Sequence, residues 1–74
     1  MKNLERIELL REAQEQLNQS IELIRVALRG TNQETHANAY ILGHLKNWVD
    51  ASGNYNMGIE QYIEELEYEE QNQD

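Results

Sequence analysis

The chain of 74 residues contains no cysteine, no proline and no phenylalanine, and it has only four glycines. Without cysteine it can form neither a disulfide nor a thiolate metal site. Without proline, and with so little glycine, it has few of the residues that interrupt helices. These absences favour an all-helical chain that packing alone must stabilise.

Long apolar runs and basic residues are also scarce. No stretch approaches the roughly 20 apolar residues of a membrane span, and the N-terminus lacks the apolar segment of a signal peptide. We therefore expect a soluble, cytoplasmic protein with no membrane partner. Six Lys and Arg oppose fourteen Asp and Glu, giving a net charge of −8, and residues 59–74 hold seven of the acids and no base. Such a surface repels phosphate, so we expect no direct nucleic-acid binding.

The segment from Asn3 to Arg29 dominates the sequence, because it is rich in good helix formers and contains neither glycine nor proline. Its apolar residues recur at alternating steps of three and four, as in a heptad repeat. Gln14 takes the one polar position in this seam. The pattern predicts a helix roughly 40 Å long, with Asn3 as its N-cap. The apolar members of the seam are Ile7, Leu10, Leu17, Ile21, Ile24 and Leu28.

A short turn is predicted directly after this helix. Gly30 suits the left-handed conformation of a helix C-cap. Thr31 and Glu34 have the spacing of a capping box, in which Thr31 is the N-cap of the next helix. So short a connection predicts that a second helix, residues 32–50, packs antiparallel on the first.

The second and third helices carry shorter apolar patterns. The inward line of the second helix is predicted from i+4 spacing, and a loop over residues 51–57 should follow it. The third helix should begin near Met57 or Gly58, with Asn56 as its cap. Three aromatic residues, Tyr40, Trp48 and Tyr62, are interpreted as core side chains. The inward line of the second helix is Ala37, Ile41, Leu45 and Val49, and that of the third is Ile59, Tyr62, Ile63 and Leu66.

The predicted fold class is therefore all-α: a three-helix chain with a long first helix, an antiparallel second helix and a shorter acidic third helix. Residues 1–66 should form a single helical domain. Residues 67–74 should form an acidic tail that is frayed or disordered, because many carboxylates at a helix C-terminus oppose the helix dipole.

Self-association is predicted from the mismatch in helix length. A second helix of roughly 28 Å leaves the first two turns of the 40 Å helix uncovered, so the chain should form a dimeric helical bundle. Gln14 can be interpreted as a polar residue tolerated at the edge of the seam, or as a register device that meets Gln14 of a second copy. The predicted homodimer interface consists of Leu4, Ile7, Leu10, Gln14, Leu17 and Ile21.

No pattern in the sequence indicates catalysis. His36 and His44 would lie roughly 12 Å apart on a helix, too far for one metal ion. The run Glu34-Thr35-His36 is one residue short of the Glu-x-x-His of di-iron bundles. We therefore predict no catalytic, cofactor or metal site and no enzyme activity.

Three functional hypotheses remain at the level of the sequence. The first is a small helical protein–protein interaction module that acts by self-association. The second is an acidic DNA mimic or antitoxin-like blocker of a basic protein partner, although the acidic tail could also serve solubility alone. The third is a metal-dependent enzyme with a site shared across a dimer. Candidate partner-binding residues are Tyr55, Tyr68, Glu64, Glu65 and Glu67.

Overall fold

A computed structural model describes residues 1–50 and 58–72 of the chain, and helix is the only regular structure within them. Helix α1 is Asn3–Leu28. Helix α2 covers residues 34–49 in three parts, α-helical Glu34–Ala37, π-helical Asn38–Leu42 and α-helical Gly43–Val49. Helix α3 is Ile59–Gln71. The all-α prediction is confirmed, whereas the predicted loop over residues 51–57 and the Asn56 cap lie outside the described residues.

The two shorter helices lie one after the other along the same side of α1. The side chain of Gln14, near the middle of α1, contacts both Val49 at the end of α2 and Glu60 at the start of α3. From there α3 continues towards the first turn of α1, where Asn3 donates a hydrogen bond to Glu69. At about 1.5 Å per residue, α2 and α3 together match the roughly 39 Å of α1. Helix α3 therefore lies beside the first turns of α1, which were predicted to be poorly covered. Ile7 and Leu10 are partly buried there, whereas Leu4 remains 60% exposed, as predicted.

This arrangement produces a layer rather than a globule. The Cα atoms span 55 × 23 × 13 Å, and their radius of gyration is 15.3 Å. A compact domain of this length would have a radius of gyration of about 11 Å. Among the described residues only five hydrophobic side chains are buried: Ile21, Ala37, Leu42, Val49 and Ile63.

The turn between α1 and α2 confirms the predicted conformation of Gly30 and corrects the predicted cap and start of α2. Gly30 has a φ of 78°, the left-handed conformation that was predicted for it. Thr31 does not cap α2. Its hydroxyl donates to the carbonyl oxygen of Leu28 at 2.6 Å, so it bonds to the last residue of α1 instead. Helix α2 begins only at Glu34. At the other end of α1 the N-cap is Lys2 rather than Asn3.

A π-turn changes which residues of α2 face α1. In a regular α-helix a step of five residues turns about 140° past a full turn, so residues 37 and 42 would point in different directions. The wider π-turn over Asn38–Leu42 brings Leu42 to the same side as Ala37. Leu42 is 5% exposed, and Ile41, which was predicted to face inward, is 49% exposed. The predicted inward line of α2 is wrong at that position.

The three aromatic residues assigned to the core are also outside it. Tyr40 and Trp48 lie on the solvent side of α2, and Tyr62 lies at the edge of α3, each about half exposed. A layer one helix thick has no second apolar surface to cover them, so these rings stay at the surface.

Helix α3 starts tightly against the end of α2 and extends further than predicted. A Cβ atom on buried Gly58 would collide with the carbonyl oxygen of Asp50, so only glycine fits there. The Gly58 N–H donates to the side chain of Gln61 at 3.1 Å. At its other end the helix continues through residues 67–71, which were predicted to form a tail. The side-chain amide of Asn72 donates to the Tyr68 carbonyl oxygen at 2.8 Å.

The π-turn predicts opposite costs for two neighbouring substitutions. Leu42→Ala should lower the free energy of unfolding by about 2–5 kcal/mol, because it leaves a cavity in the core. Ile41→Ala should cost less than about 1 kcal/mol, because that side chain is half exposed. Urea unfolding followed by circular dichroism at about 1 µM protein, where any association contributes least, measures both. Equal costs, or a larger cost for Ile41→Ala, would show that α2 keeps a regular α-helical register.

Candidate functional site

The junction of the three helices is built around the side chain of Gln14. Its Nε2 donates to the Val49 carbonyl oxygen at 3.0 Å and to Glu60 Oε2 at 2.8 Å. Its Oε1 accepts from Arg11 Nη1 at 3.4 Å. One amide group therefore satisfies a free carbonyl at the end of α2 and holds a carboxylate at the start of α3. These bonds join α2 and α3 to α1 within one chain, whereas the contact of Gln14 with Gln14 of a second copy stays a prediction.

Arg11 adds the charge that holds α3 in place. Its guanidinium lies 2.8 Å from a Glu60 carboxylate oxygen and 3.7 Å from one of Glu67. Each of these side chains is at least 29% exposed, so solvent screens the pairs and each contributes little on its own. Arg11 thus places a positive charge of α1 beside two carboxylates of the acidic helix α3, one in its first turn and one past Leu66.

The residues predicted as a dimer interface are distributed between the core and its margin. Ile21 is buried, Leu17 packs against the core formed by Ile21, Leu42 and Val49, and Gln14 is hydrogen-bonded as described above. Ile7 and Leu10 are partly buried, and Leu4 is exposed. The seam that the heptad pattern identified is therefore largely occupied by the chain's own α2 and α3.

The predicted partner-binding residues fall into three groups. Tyr55 lies outside the described residues, and Glu67 is drawn towards Arg11. Glu64, Glu65 and Tyr68 lie together on the solvent side of α3, where they line a shallow hollow with Gln61 and Glu69. Tyr68 is the most exposed of the described tyrosines.

A row of aromatic and imidazole rings runs along the solvent side of α2. We call His36, Tyr40, His44 and Trp48 the α2 aromatic stripe. The rings of His36 and Tyr40 stack with centroids 4.5 Å apart and planes 25° apart. Tyr40 is 57% exposed and Trp48 is 55% exposed, and all four residues belong to the exposed class. Tyr40 and Trp48 were predicted to lie in the core, whereas the structure places both rings at the surface. The i+4 spacing of all four rings was the signal that they share one face.

A smaller exposed apolar patch lies on the opposite side of α1 from the core. Leu23 and Val26 are 71% and 54% exposed, and they line a shallow groove with Gln19 and Glu22. Glu22 and Arg25 form an ion pair of 2.7 Å beside this patch.

Within residues 1–50 and 58–72, no group of three or more His, Asp or Glu side chains is placed where it could hold a metal ion. The described carboxylates of α3 that face α1 meet Arg11, Gln14 and Asn3 rather than further acids. The hypothesis of a shared metal site therefore gains no support from the described residues.

Comparison with protein-family models, with curated proteins and with solved structures gives no match to this chain. None of the helices in the described part of the chain combines the length and apolar character needed to cross a membrane.

Removing the Gln14 amide should loosen the junction of the helices. Gln14→Met keeps the length of the side chain but removes three hydrogen bonds, so it should lower the free energy of unfolding by about 1–3 kcal/mol. Gln16→Met is the matched control, since the side chain of Gln16 is exposed and donates to Glu12 on its own helix, and it should change stability by less than about 0.5 kcal/mol. Urea unfolding compares the two variants. If they cost the same, the Gln14 bonds do not hold the helices together.

Proposed function

We propose that this chain is a small helical protein–protein interaction module that acts by self-association, without catalysis. The observation that carries this proposal is the balance of apolar residues between core and surface. Among the described residues, five hydrophobic side chains are buried whereas ten large ones are exposed, and three of the ten lie on α2. The ten are Met1, Leu4, Leu9, Leu23, Val26, Tyr40, Ile41, Trp48, Tyr62 and Tyr68.

The energetic argument starts from the small core. A domain of this size buries only about 60% of the surface of its unfolded chain, and chains of this length usually need a further source of stability. Cysteine is absent, so disulfides cannot supply it. Apolar burial contributes roughly 25 cal/mol per Å². Covering the exposed rings and aliphatic side chains with a second protein surface is the remaining way to gain such burial.

In the assembly that we infer, α1 and α2 run antiparallel within each chain, and two chains join into one helical bundle. The hydrogen bond between Gln14 and the Val49 carbonyl supports the first part, since it joins the middle of α1 to the end of α2. The thinness of the layer supports the second part. Stacking two layers, each 13 Å thick in its Cα trace, would give the thickness of an ordinary bundle.

Sedimentation equilibrium of the unmodified chain tests this proposal. The mass should rise from that of a monomer towards that of a dimer between about 1 and 300 µM, because apolar interfaces of modest size give micromolar affinities. Raising NaCl from about 50 to about 500 mM should strengthen the association, since salt screens the repulsion between two chains of net charge −8. A monomer at every concentration and at both salt levels would refute self-association.

A second candidate function is the blocking of a basic protein by the acidic face of α3. The favouring observation is that Tyr68 is exposed on the face that also carries Glu64 and Glu65. Tyrosine is enriched at binding hot spots, and carboxylates at helical spacing offer negative charge to a surface that ordinarily binds phosphates.

Capture from an extract of the source cell tests this candidate. A basic protein retained by the unmodified chain should be released by duplex DNA, and it should bind about tenfold or more weakly to Glu64→Gln/Glu65→Gln. The control is Glu8→Gln/Glu12→Gln, which removes the same charge from exposed positions of α1. Equal loss in both variants would show that net charge, rather than the face of α3, governs capture.

A further inference from the structure

The α2 aromatic stripe is an exposed surface that contains no Asp, Glu, Lys or Arg. It runs from His36 to Trp48, roughly 18 Å along the helix, and the exposed side chain of Ile41 adjoins it. Among the residues of α2 and its C-cap, the charged ones are Glu34, Lys46 and Asp50. The last two neutralise each other in an ion pair of 3.1 Å.

Two other exposed surfaces of the described chain are less suited to a copy that carries the same charge. The solvent side of α3 would place carboxylates against carboxylates, since residues 59–72 contain six Glu and no base. The patch of Leu23 and Val26 lies beside the charges of Glu22 and Arg25. A second chain of net charge −8 therefore meets less local repulsion at the stripe than at the face of α3, and fewer charged neighbours than at the patch of Leu23 and Val26.

The spacing of the stripe is also self-complementary. Tyr40 precedes His44 by four residues, and Trp48 follows it by four residues. If two copies of α2 cross on a two-fold axis at His44, Tyr40 of each copy meets Trp48 of the other. A two-fold interface requires this property, since one surface must fit itself.

We propose that a second copy of this chain docks on the α2 aromatic stripe, with the two-fold axis at His44. This inference rests on the proposed self-association and specifies the surface that carries it. Tyrosine and tryptophan are the residues that most often dominate the binding energy of interfaces, whereas leucine and valine are under-represented there. The π-turn within the stripe agrees with this assignment, because such turns are frequent at functional sites.

The size of the stripe sets the expected affinity. A half-exposed Tyr or Trp offers about 100 Å² of side chain, so the stripe and Ile41 together offer roughly 400 Å² per copy. Two copies then bury about 800 Å², less than the roughly 1,200 Å² of stable complexes. The dimer should be reversible and weak, with a dissociation constant of tens of micromolar.

Paired variants test which surface carries the association. Tyr40→Gln/Trp48→Gln should raise the dissociation constant measured by sedimentation about tenfold or more, because it removes both aromatic contacts. Leu23→Gln/Val26→Gln is the matched control, because these two side chains of α1 are exposed to a similar or greater extent (71% and 54%, against 57% and 55%), and it should change the constant less than about twofold. Circular dichroism at about 1 µM should show that both variants remain folded, since all four side chains are exposed.

Each result separates the assignment of the surface from the proposed function. If the unmodified chain never associates, both are refuted. If it associates and the variant of the stripe still dimerises with unchanged affinity, only the assignment to α2 is overturned. The same holds if the Leu23/Val26 variant loses as much affinity as the variant of the stripe.

A cysteine crosslink tests the position of the axis. Because the chain contains no other cysteine, the thiol of His44→Cys can form a disulfide with glutathione or with a second copy, and only the second gives a covalent dimer. Two helices in contact at His44 bring these positions near the 4.4–6.8 Å that separates the Cα atoms of a disulfide. Oxidation of about 100 µM protein with glutathione should give mainly covalent dimer for His44→Cys and little for Ser20→Cys on α1. Equal yields from the two variants would overturn the proposed axis.

Discussion

Gln14 is the point on which the arrangement of the three helices depends. It is the one polar residue in the apolar seam of α1, and it lies where α2 ends and α3 begins. A carbonyl group at the end of a helix needs a donor, and a partly buried carboxylate needs donors as well. The Gln14 amide donates to the Val49 carbonyl oxygen and to the Glu60 carboxylate. The Arg11 guanidinium lies beside the same carboxylate. That amide joins both shorter helices to α1 at one point, beside the Arg11–Glu60 ion pair and close to the core of Ile21, Leu42 and Val49.

Laying two short helices end to end along a long one has a consequence for the surface. It covers one side of α1 along most of its length, but it provides no second layer. The core therefore holds few side chains, and the outer sides of all three helices remain open, including rings that would be interior in a thicker bundle. The α2 aromatic stripe and the patch of Leu23 and Val26 are both results of this geometry. The proposed self-association follows from the same cause, because a thin layer gains most from stacking on a second one.

The charged residues, like the exposed apolar residues, are distributed unevenly over the three helices. Helix α1 carries both signs, α2 is nearly neutral and α3 is strongly acidic. Arg11 and Asn3 engage the carboxylates of α3 that face α1, while Glu64 and Glu65 remain on the open side. This distribution of charge is the reason that we propose the neutral surface on α2 for a like-charged copy and the acidic surface on α3 for a partner of opposite charge.

The sequence alone determined the helical class, the extent of α1, the glycine that ends it and the seam of apolar residues along it. These are local properties: heptad spacing, helix propensity and the left-handed conformation of Gly30 depend on neighbours within a few residues. It did not determine what covers the seam, since the dual role of Gln14 depends on groups 35 and 46 residues away. Nor did it reveal the π-turn, because the choice of Leu42 over Ile41 as the buried residue is decided by packing on α1. The contacts of α3 past Leu66 are likewise with another helix, since Glu67 lies near Arg11 and Glu69 accepts a hydrogen bond from Asn3. Tertiary contacts decided these features because each one depends on atoms that are distant in the chain and meet only once it has folded.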